Sequence, residues 1–189
     1  MKTLIFNGSP RKQGDTRFMI DYLSERLSGE VHVIDAYTCG VKSCVDCRYC
    51  WTHPHCVFPD FQELDDRIRS CDNIILASPI YFSEVTGELL RVLSKVQVYW
   101  SARFLRQETL FPNPKKGALL LAYAGHCNLI YPEHSCHILL KNMGVQSIWP
   151  TVTASDTDRV PAREDQGIHR ALDELALFLN GSVEPPVRP

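Results

Sequence analysis

The chain is predicted to fold as a three-layer α/β sandwich, with a five-stranded parallel sheet between two layers of helices. Apolar runs typical of strands alternate along the chain with segments of helical spacing. The unbroken apolar run at 117–124 is typical of a central parallel strand, which is buried on both faces. Strands that are each followed by a helix favour the strand order 2-1-3-4-5, a common arrangement of such sheets.

The first half of the chain supplies three of the strands. Apolar and β-branched residues follow one another at each strand, and apolar residues recur every three or four positions at each helix. The predicted elements are a strand at 3–6, a helix at 16–27, a strand at 31–34, a cysteine-rich loop at 38–59, a helix at 61–68 and a strand at 73–77. The third strand is expected to end at Ser78 and Pro79, because proline cannot continue a central ladder.

The second half supplies the other two strands. Gly144 is typical of a helix C-terminus, and apolar residues at helical spacing mark the last helix. The predicted elements are a helix at 85–100, a surface connection at 101–116, a strand at 117–124, a helix at 137–143, a strand at 145–149 and a helix at 168–179. Residues 1–180 are therefore expected to form a single domain, followed by an extended tail at 181–189.

The composition limits the classes of partner. The net charge is -2 and no run of lysine and arginine occurs, so nucleic acid is not an expected partner. No apolar stretch approaches the roughly 20 residues that span a bilayer. The apolar segment near the N-terminus is too short for a signal peptide. Membrane association is therefore not expected, and the predicted location is the cytoplasm.

The turn between the first strand and the first helix predicts an anion site. A helix N-terminus leaves backbone N–H groups without partners and carries the positive end of the helix dipole, which together suit a phosphate. Ser9 and Thr16 add hydroxyl groups to this turn. Arg11 adds a permanent positive charge, and Gly14 permits close approach of the backbone.

Other interpretations of this turn are a plain helix cap and other known phosphate loops. As a cap, Asp15 or Thr16 would satisfy the free donors of the helix. Gly8 and Gly14 do not form the G-x-G-x-x-G of a dinucleotide fold, and no G-K-[ST] follows as in a Walker loop. No cysteine opens the turn as in low-molecular-weight tyrosine phosphatases. Two interpretations of the turn therefore remain: a site that binds a phosphomonoester without reacting with it, and a plain helix cap.

Two more loops are expected at the same edge of the sheet, because ligands of such sheets bind at the carboxyl ends of the strands. The loop at 78–82 presents Tyr81 and Phe82, which either embrace a flat heterocycle or pack under the following helix. The loop at 124–128 presents His126, which is either a ligand contact or an exposed loop histidine.

Three motifs together resemble one known family. They are N-G-S-P-R-x-x-G-x-T at the first strand, the cysteine cluster and A-S-P-I-Y-F. They resemble the NADPH-dependent FMN reductase family of flavodoxin-like proteins, and most of all the branch that includes the iron–sulfur flavoproteins. The likeness covers residues 1–95 through these motifs and the rest through the order of elements. It implies a flavodoxin-like fold, bound FMN, and self-association into a homodimer or homotetramer.

The resemblance also implies which residues bind FMN. The first loop would hold the phosphate and the second the isoalloxazine ring. Beyond the resemblance, we expect backbone N–H groups of the third loop to stabilise charge on the reduced ring. By position these residues are Ser9, Arg11, Gly14, Asp15 and Thr16, then Pro79, Ile80, Tyr81 and Phe82, then Gly125 and His126. Asp15 stands where the family usually has asparagine, which predicts weaker cofactor binding. Ser94 and Lys95 stand where an Asp-Arg pair is usual.

The cysteine-rich loop is the other strong signal. It carries four cysteines at a compact spacing, Cys44, Cys47, Cys50 and Cys56. This spacing lets several thiolates converge on one centre and is more typical of iron–sulfur ligation than of zinc. It is similar to the cluster motif of the iron–sulfur flavoproteins. Three interpretations stay open: a 4Fe–4S cluster, a zinc site completed by His53 or His55, and reduced thiols without metal.

The expected function is that of an FMN-dependent NAD(P)H oxidoreductase. Reducing equivalents would pass from NAD(P)H through FMN to a small acceptor such as a quinone or a flavin, so that no catalytic side chain is required. The first alternative is an iron–sulfur flavoprotein that transfers electrons between proteins without small-molecule turnover. The second is a flavin-free binding or thiol-redox module.

Overall fold

The computed structural model of the protein describes residues 1–186. In chain order the strands are β1 (Lys2–Asn7), β2 (Glu30–Asp35), β3 (Asn73–Tyr81), β4 (Glu84–Val85), β5 (Lys115–Ala122), β6 (Val145–Ile148) and β7 (Val152–Ala154). The helices are α1 (Asp15–Ser24), α2 (Gln62–Ser70), α3 (Gly87–Leu93), α4 (Gln97–Ser101), α5 (Ile130–Asn142) and α6 (Gln166–Leu179). No helix within residues 1–186 is both long and apolar enough to cross a bilayer.

The strand order across the sheet is β2-β1-β3-β5-β6, and β7 also pairs with β5. The long strands are parallel, with Ile5 of β1 opposite Ile75 of β3, and Ile75 opposite Ala118 of β5. The order 2-1-3-4-5 predicted from the sequence is therefore confirmed, and so is the three-layer flavodoxin-like class.

The core lies on both faces of the sheet, because successive residues of a strand point to opposite sides. In β3, Ile74 and Leu76 pack with residues of α2, α3 and α5. Their neighbours Ile75 and Ala77 pack with residues of α1 and α6. Burial of each large apolar side chain contributes about 1.5–3 kcal/mol, so the two clusters fix the helices on the sheet.

The sheet has seven strands rather than the five predicted. The additional β4 is a two-residue strand that returns antiparallel to the end of β3. The predicted strand at 145–149 is β6, which pairs with the start of β5, and β7 is a further additional strand that pairs with the end of β5. Pro150 lies in the gap between them and has no backbone N–H to donate to β5.

The prediction that β3 ends at Ser78 and Pro79 is wrong. The strand runs to Tyr81, and Pro79 is opposite Ala122 of β5. The last pair between β1 and β3 is Asn7 with Ala77, so beyond it β3 no longer pairs with β1. Proline is tolerated at such an edge because its missing N–H breaks no ladder there.

The predicted helix at 85–100 is interrupted. A 3-10 turn at Ser94–Val96 separates α3 from α4, and a π-helical turn at Ala102–Arg106 lies inside the predicted connection at 101–116. The hydroxyl of Ser94 donates to the Arg91 carbonyl at 2.7 Å and accepts from the Cys44 N–H at 2.8 Å. Such a hydroxyl competes with the backbone of the helix, and the tighter turn follows from it.

The other helices agree with the prediction to within a few residues, except α5. It begins at Ile130 rather than at 137, with Pro132 in its first turn, where a missing N–H costs nothing. The predicted tail at 181–189 lies partly outside the described residues, which end at 186.

Gly117→Ala is expected to lower the free energy of unfolding by about 1–3 kcal/mol, the usual cost of overpacking. A Cβ atom at this position would lie 2.7 Å from Cγ1 of Val145 and 3.1 Å from the carbonyl oxygen of Ile74. The matched control is Gly87→Ala in α3, where a Cβ atom would meet nothing within 4 Å. Chemical denaturation measures both, and equal stabilities of the two variants would contradict the prediction.

Candidate cofactor-binding site

A cleft of about 180 Å³ opens at the carboxyl edge of the sheet. Its walls come from the loop after β1, the ends of β3 and β5, and the loop after β7. The residues predicted to bind cofactor that line it are Ser9, Arg11, Gly14, Asp15, Thr16, Pro79, Ile80 and Tyr81. The first two predicted loops therefore meet at one place.

The N-terminus of α1 forms one wall of this cleft. Gly14 is the N-cap residue, and among the described residues no side chain caps this end of the helix. The alternative of a plain cap by Asp15 or Thr16 is therefore not what the structure shows. Ser9 and Thr16 are almost fully buried, at 5% and 2% exposure. Free helix donors, two hydroxyl groups and the Arg11 guanidinium fit a phosphate.

Asp15 lines the cleft but is held by another part of the chain. Its Oδ1 accepts a hydrogen bond from the N–H of Ala162 at 2.8 Å. Next to it, Arg163 donates from Nη2 to the Gln13 carbonyl at 3.2 Å. The loop after β7 is thus tied to the loop after β1, and one oxygen of the carboxylate is engaged away from an incoming anion.

The loop after β1 is folded by its own hydrogen bonds. The N–H of Ser9 donates to Oδ1 of Asn7 at 2.9 Å, and the N–H of Arg11 donates to Oγ of Ser9 at 3.2 Å. Such side-chain-to-backbone bonds fix a turn without regular secondary structure. The loop therefore has a defined shape before any ligand binds.

A small hydrogen-bond network joins the first loop to the second. Thr86, the N-cap of α3, donates from Oγ1 to the Gly8 carbonyl at 2.7 Å, and its N–H donates to Oγ of Ser78 at 3.1 Å. The N–H of Gly8 donates to the Ala77 carbonyl at 2.7 Å. A Cβ atom at Gly8 would lie 2.9 Å from Oγ of Ser78, so only glycine permits this close approach.

The end of β3 turns back into β4 through a two-residue hairpin. Phe82 and Ser83 have φ of 52° and 61°, which matches a type I′ turn. Phe82 is fully exposed at the tip and does not line the cleft, whereas Tyr81 is 46% exposed at the rim. The carboxylate of Glu84 accepts from Oγ of Ser135 at 3.2 Å, which ties the hairpin to α5.

The third predicted loop does not contribute the residues that were expected to line the cleft. Gly125 and His126 are exposed and do not line the cleft, and Gly125 has φ of 64°. Tyr123 lines it instead, together with Thr157 and Asp158 of the loop after β7. No motif marks these three residues, but their place after the last strands at the carboxyl edge is a signal that would have found them.

The four cysteines of the cysteine-rich loop line a second, small cavity of about 20 Å³. Lys95, at the 3-10 turn between α3 and α4, lines it as well. Within residues 1–186, no group of three or more His, Cys, Asp or Glu side chains is arranged to hold a metal ion. The four thiols thus lie at one cavity, but they are not arranged as a set of ligands for a metal ion.

The two histidines of the loop are engaged by Tyr49. The ring of His53 stacks on that of Tyr49 with centroids 3.8 Å apart, and Nδ1 of His53 lies 3.1 Å from the Tyr49 carbonyl. The ring of His55 lies 5.7 Å from the same tyrosine. This arrangement gives no support to the zinc site that the sequence left open.

Comparison with curated proteins finds relatives that are named iron-sulfur flavoproteins. An iron-sulfur flavoprotein of Archaeoglobus fulgidus is 29% identical over 129 residues, which cover 66% of this chain and 56% of the relative. An iron-sulfur flavoprotein of Clostridioides difficile is 33% identical over 90 residues, which cover 44% of this chain and 40% of the relative. The chain thus spans about half the length of the curated relatives it matches.

Solved structures share the fold. The NAD(P)H:quinone oxidoreductase of Methanothermobacter marburgensis has a TM-score of 0.72 at 14% identity, covering 93% of this chain and 97% of that one. An FMN-dependent NADH-azoreductase of Bacillus anthracis, in complex with FMN, has a TM-score of 0.70 at 14% identity, covering 96% and 100%.

The match to a family covers more of the chain than either of the pairwise sequence alignments with the curated relatives. The sequence profile described as NADPH-dependent FMN reductase matches residues 1–152, which include the loop after β1, the cysteine-rich loop and the β3–β4 hairpin. The chain belongs to the NADPH-dependent FMN reductase family.

Proposed function

We propose that this protein binds FMN in the cleft at the carboxyl edge of the sheet and acts as an NAD(P)H oxidoreductase. The observation that supports it best is the uncapped N-terminus of α1 beside Arg11 in that cleft. Family membership and the names of the relatives point the same way. A small acceptor such as a quinone or a flavin, and self-association into a dimer or tetramer, belong to the same proposal.

The loop after β1 would bind the phosphate of FMN. Backbone N–H groups at the start of α1 donate to phosphate oxygens, and the helix dipole favours their negative charge. Arg11 adds a charge-assisted contact, and Ser9 and Thr16 offer hydroxyl groups that are already buried. Because the loop is fixed by its own hydrogen bonds, little ordering is required on binding.

The end of β3 and the loop after β5 would bind the rest of the cofactor. Pro79, Ile80 and Tyr81 form one wall, and Tyr123 another. The cleft is smaller than the roughly 300 Å³ at which ligand pockets begin, so part of the cofactor extends beyond it. Tyr81 at the rim offers an aromatic face to a flat ring there.

FMN in this cleft supplies the exchange of hydride with a nicotinamide and the transfer of reducing equivalents to an acceptor. The side chains of the cleft bind and orient. Ser9, Arg11 and Thr16 anchor one end of the cofactor, and the half-exposed rim at Tyr81 leaves the other end open to small molecules. No side chain of the cleft is required to hold or move a proton.

The electron-carrier alternative requires a metal cluster in the cysteine-rich loop. The names of the curated relatives favour it, but the thiols as placed do not fit a metal centre. The expectation of a 4Fe–4S cluster therefore finds no support in the arrangement of the side chains, and no step is derived through one.

Arg11→Ala is expected to weaken FMN binding roughly 10- to 100-fold, because a charge-assisted hydrogen bond contributes about 1.5–3 kcal/mol. Titration of apoprotein with FMN, followed by flavin fluorescence, measures the change. Lys12→Ala is the matched control, since Lys12 is the adjacent exposed cation and does not line the cleft. Equal affinities of the two variants would remove Arg11 from the site.

Asp15→Asn is expected to tighten FMN binding several-fold. The asparagine keeps an oxygen for the N–H of Ala162 and removes a negative charge beside the phosphate. The same titration in low salt reports the effect, and salt should reduce it. A weaker affinity for FMN would mean that the charge of Asp15 serves the loop and does not oppose the cofactor.

Steady-state turnover separates an oxidoreductase from an electron carrier. With FMN bound, the protein should oxidise NADPH or NADH in the presence of a quinone over many cycles, and protein lacking FMN should not. Absorbance of the nicotinamide at saturating quinone measures the rate. Reduction of FMN without multiple turnovers would favour the electron carrier instead.

A further inference from the structure

The start of α6 packs against the start of α1 through the ring of His169. The centroid of this ring lies 4.8 Å from that of Tyr22 and 5.5 Å from that of Phe18, and the residue is half-buried. Phe18 is one helical turn after Gly14, and its N–H donates to the Gly14 carbonyl at 3.0 Å. His169 therefore lies against the first turns of the helix whose N-terminus forms a wall of the cleft.

The polar edge of the same ring contacts the loop after β7. Nε2 of His169 lies 3.0 Å from the carbonyl oxygen of Arg163. A carbonyl oxygen can only accept a hydrogen bond, so Nε2 carries the hydrogen and donates it. His169 thus joins this loop to α1, through a hydrogen bond to the loop and ring contacts to the helix.

Arg163 and the residue before it contact the loop after β1. The N–H of Ala162, which is 1% exposed, donates to Oδ1 of Asp15 at 2.8 Å. Nη2 of Arg163 donates to the Gln13 carbonyl at 3.2 Å. These two contacts fall on the neighbours of Gly14, the N-cap residue of α1. The position of the loop after β7 therefore determines how the Asp15 carboxylate is held.

The Asp15 carboxylate is a potential competitor of an anion at this helix end. Asp15 is the first residue of α1, where free N–H groups and the positive end of the helix dipole attract negative charge. The hydrogen bond from Ala162 engages one of its oxygens, and among the described residues no side chain caps this end of the helix. The contact with Ala162 thus helps to leave the helix donors free.

We propose that His169 is a positioning residue for the binding of FMN. Its Nε2–H holds the carbonyl of Arg163, which keeps the N–H of Ala162 on Asp15, and Asp15 is thereby kept from competing with the phosphate at the start of α1. His169 does not itself line the cleft. This role rests on the proposed function, because it serves the end of the cleft that is assigned to the phosphate.

The ring and the donor of His169 can be separated by substitution. Phenylalanine keeps a ring against Phe18 and Tyr22 but has no hydrogen to donate to the Arg163 carbonyl. Glutamine keeps an N–H donor on a side chain of similar reach and loses the ring. The effect of a residue that only packs follows the ring, whereas the effect of a positioning residue follows the donor.

FMN titration and thermal unfolding of the apoprotein are measured for both variants. His169→Phe should weaken FMN binding about 2- to 10-fold, the effect of one neutral hydrogen bond, with little loss of stability. His169→Gln should be less stable because it lacks the ring, and should still bind FMN as tightly as the unaltered protein. His134→Phe, at an exposed position on α5, is the matched control and should change neither property. Full affinity of His169→Phe, or affinities that follow the stabilities of the two variants, overturn the proposal.

A double substitution tests the route through Asp15. In protein that carries Asp15→Asn the competing charge is absent, so the addition of His169→Phe should weaken FMN binding less than it does in the unaltered protein. An equal loss of affinity in both backgrounds shows that Asp15 does not carry the effect, and the proposal is then overturned.

Amide hydrogen exchange of the protein without FMN gives a readout that is independent of the cofactor. The N–H of Ala162, followed by NMR, should exchange several-fold faster in His169→Phe than in the unaltered protein, and close to the original rate in His169→Gln. Equal exchange in all three proteins overturns the proposal. If the unaltered protein does not bind FMN, the proposed function fails instead, and exchange at Ala162 still decides whether His169 holds the loop.

Discussion

The contact between Gly8, Ser78 and Thr86 is the constraint on which the cleft depends. Because Gly8 has no Cβ atom, the loop after β1 lies directly against the end of β3, and Thr86 hydrogen bonds to both. This fixes the distance between the uncapped start of α1 and the wall at Tyr81. The relative position of the proposed anion end and the aromatic end of the site is thus set by three small residues, none of which needs to touch a ligand.

The sequence predicted what depends on local periodicity and on strand order. The central sheet, both loops that meet at the cleft and most helices follow from such patterns. The break at Ser94 was not predicted, because it requires a partner from the distant Cys44. The strand through Pro79 was not predicted either, because β1 ends opposite Ala77, and no local pattern reports where a neighbouring strand ends.

The cysteine-rich loop shows a limit of spacing arguments. Its motif predicts convergence of the thiols, and the structure does bring them to one cavity. The cavity also contains Lys95, which is distant in the chain and reaches it through the 3-10 turn after α3.

The division of the outermost strand into β6 and β7 affects how copies of the chain can meet. An unbroken edge strand presents a row of free backbone groups on which a foreign strand can form a continuous ladder. Here that row is broken at Pro150 into segments of four and three residues. Extension of the sheet from one molecule into the next is therefore disfavoured along this border.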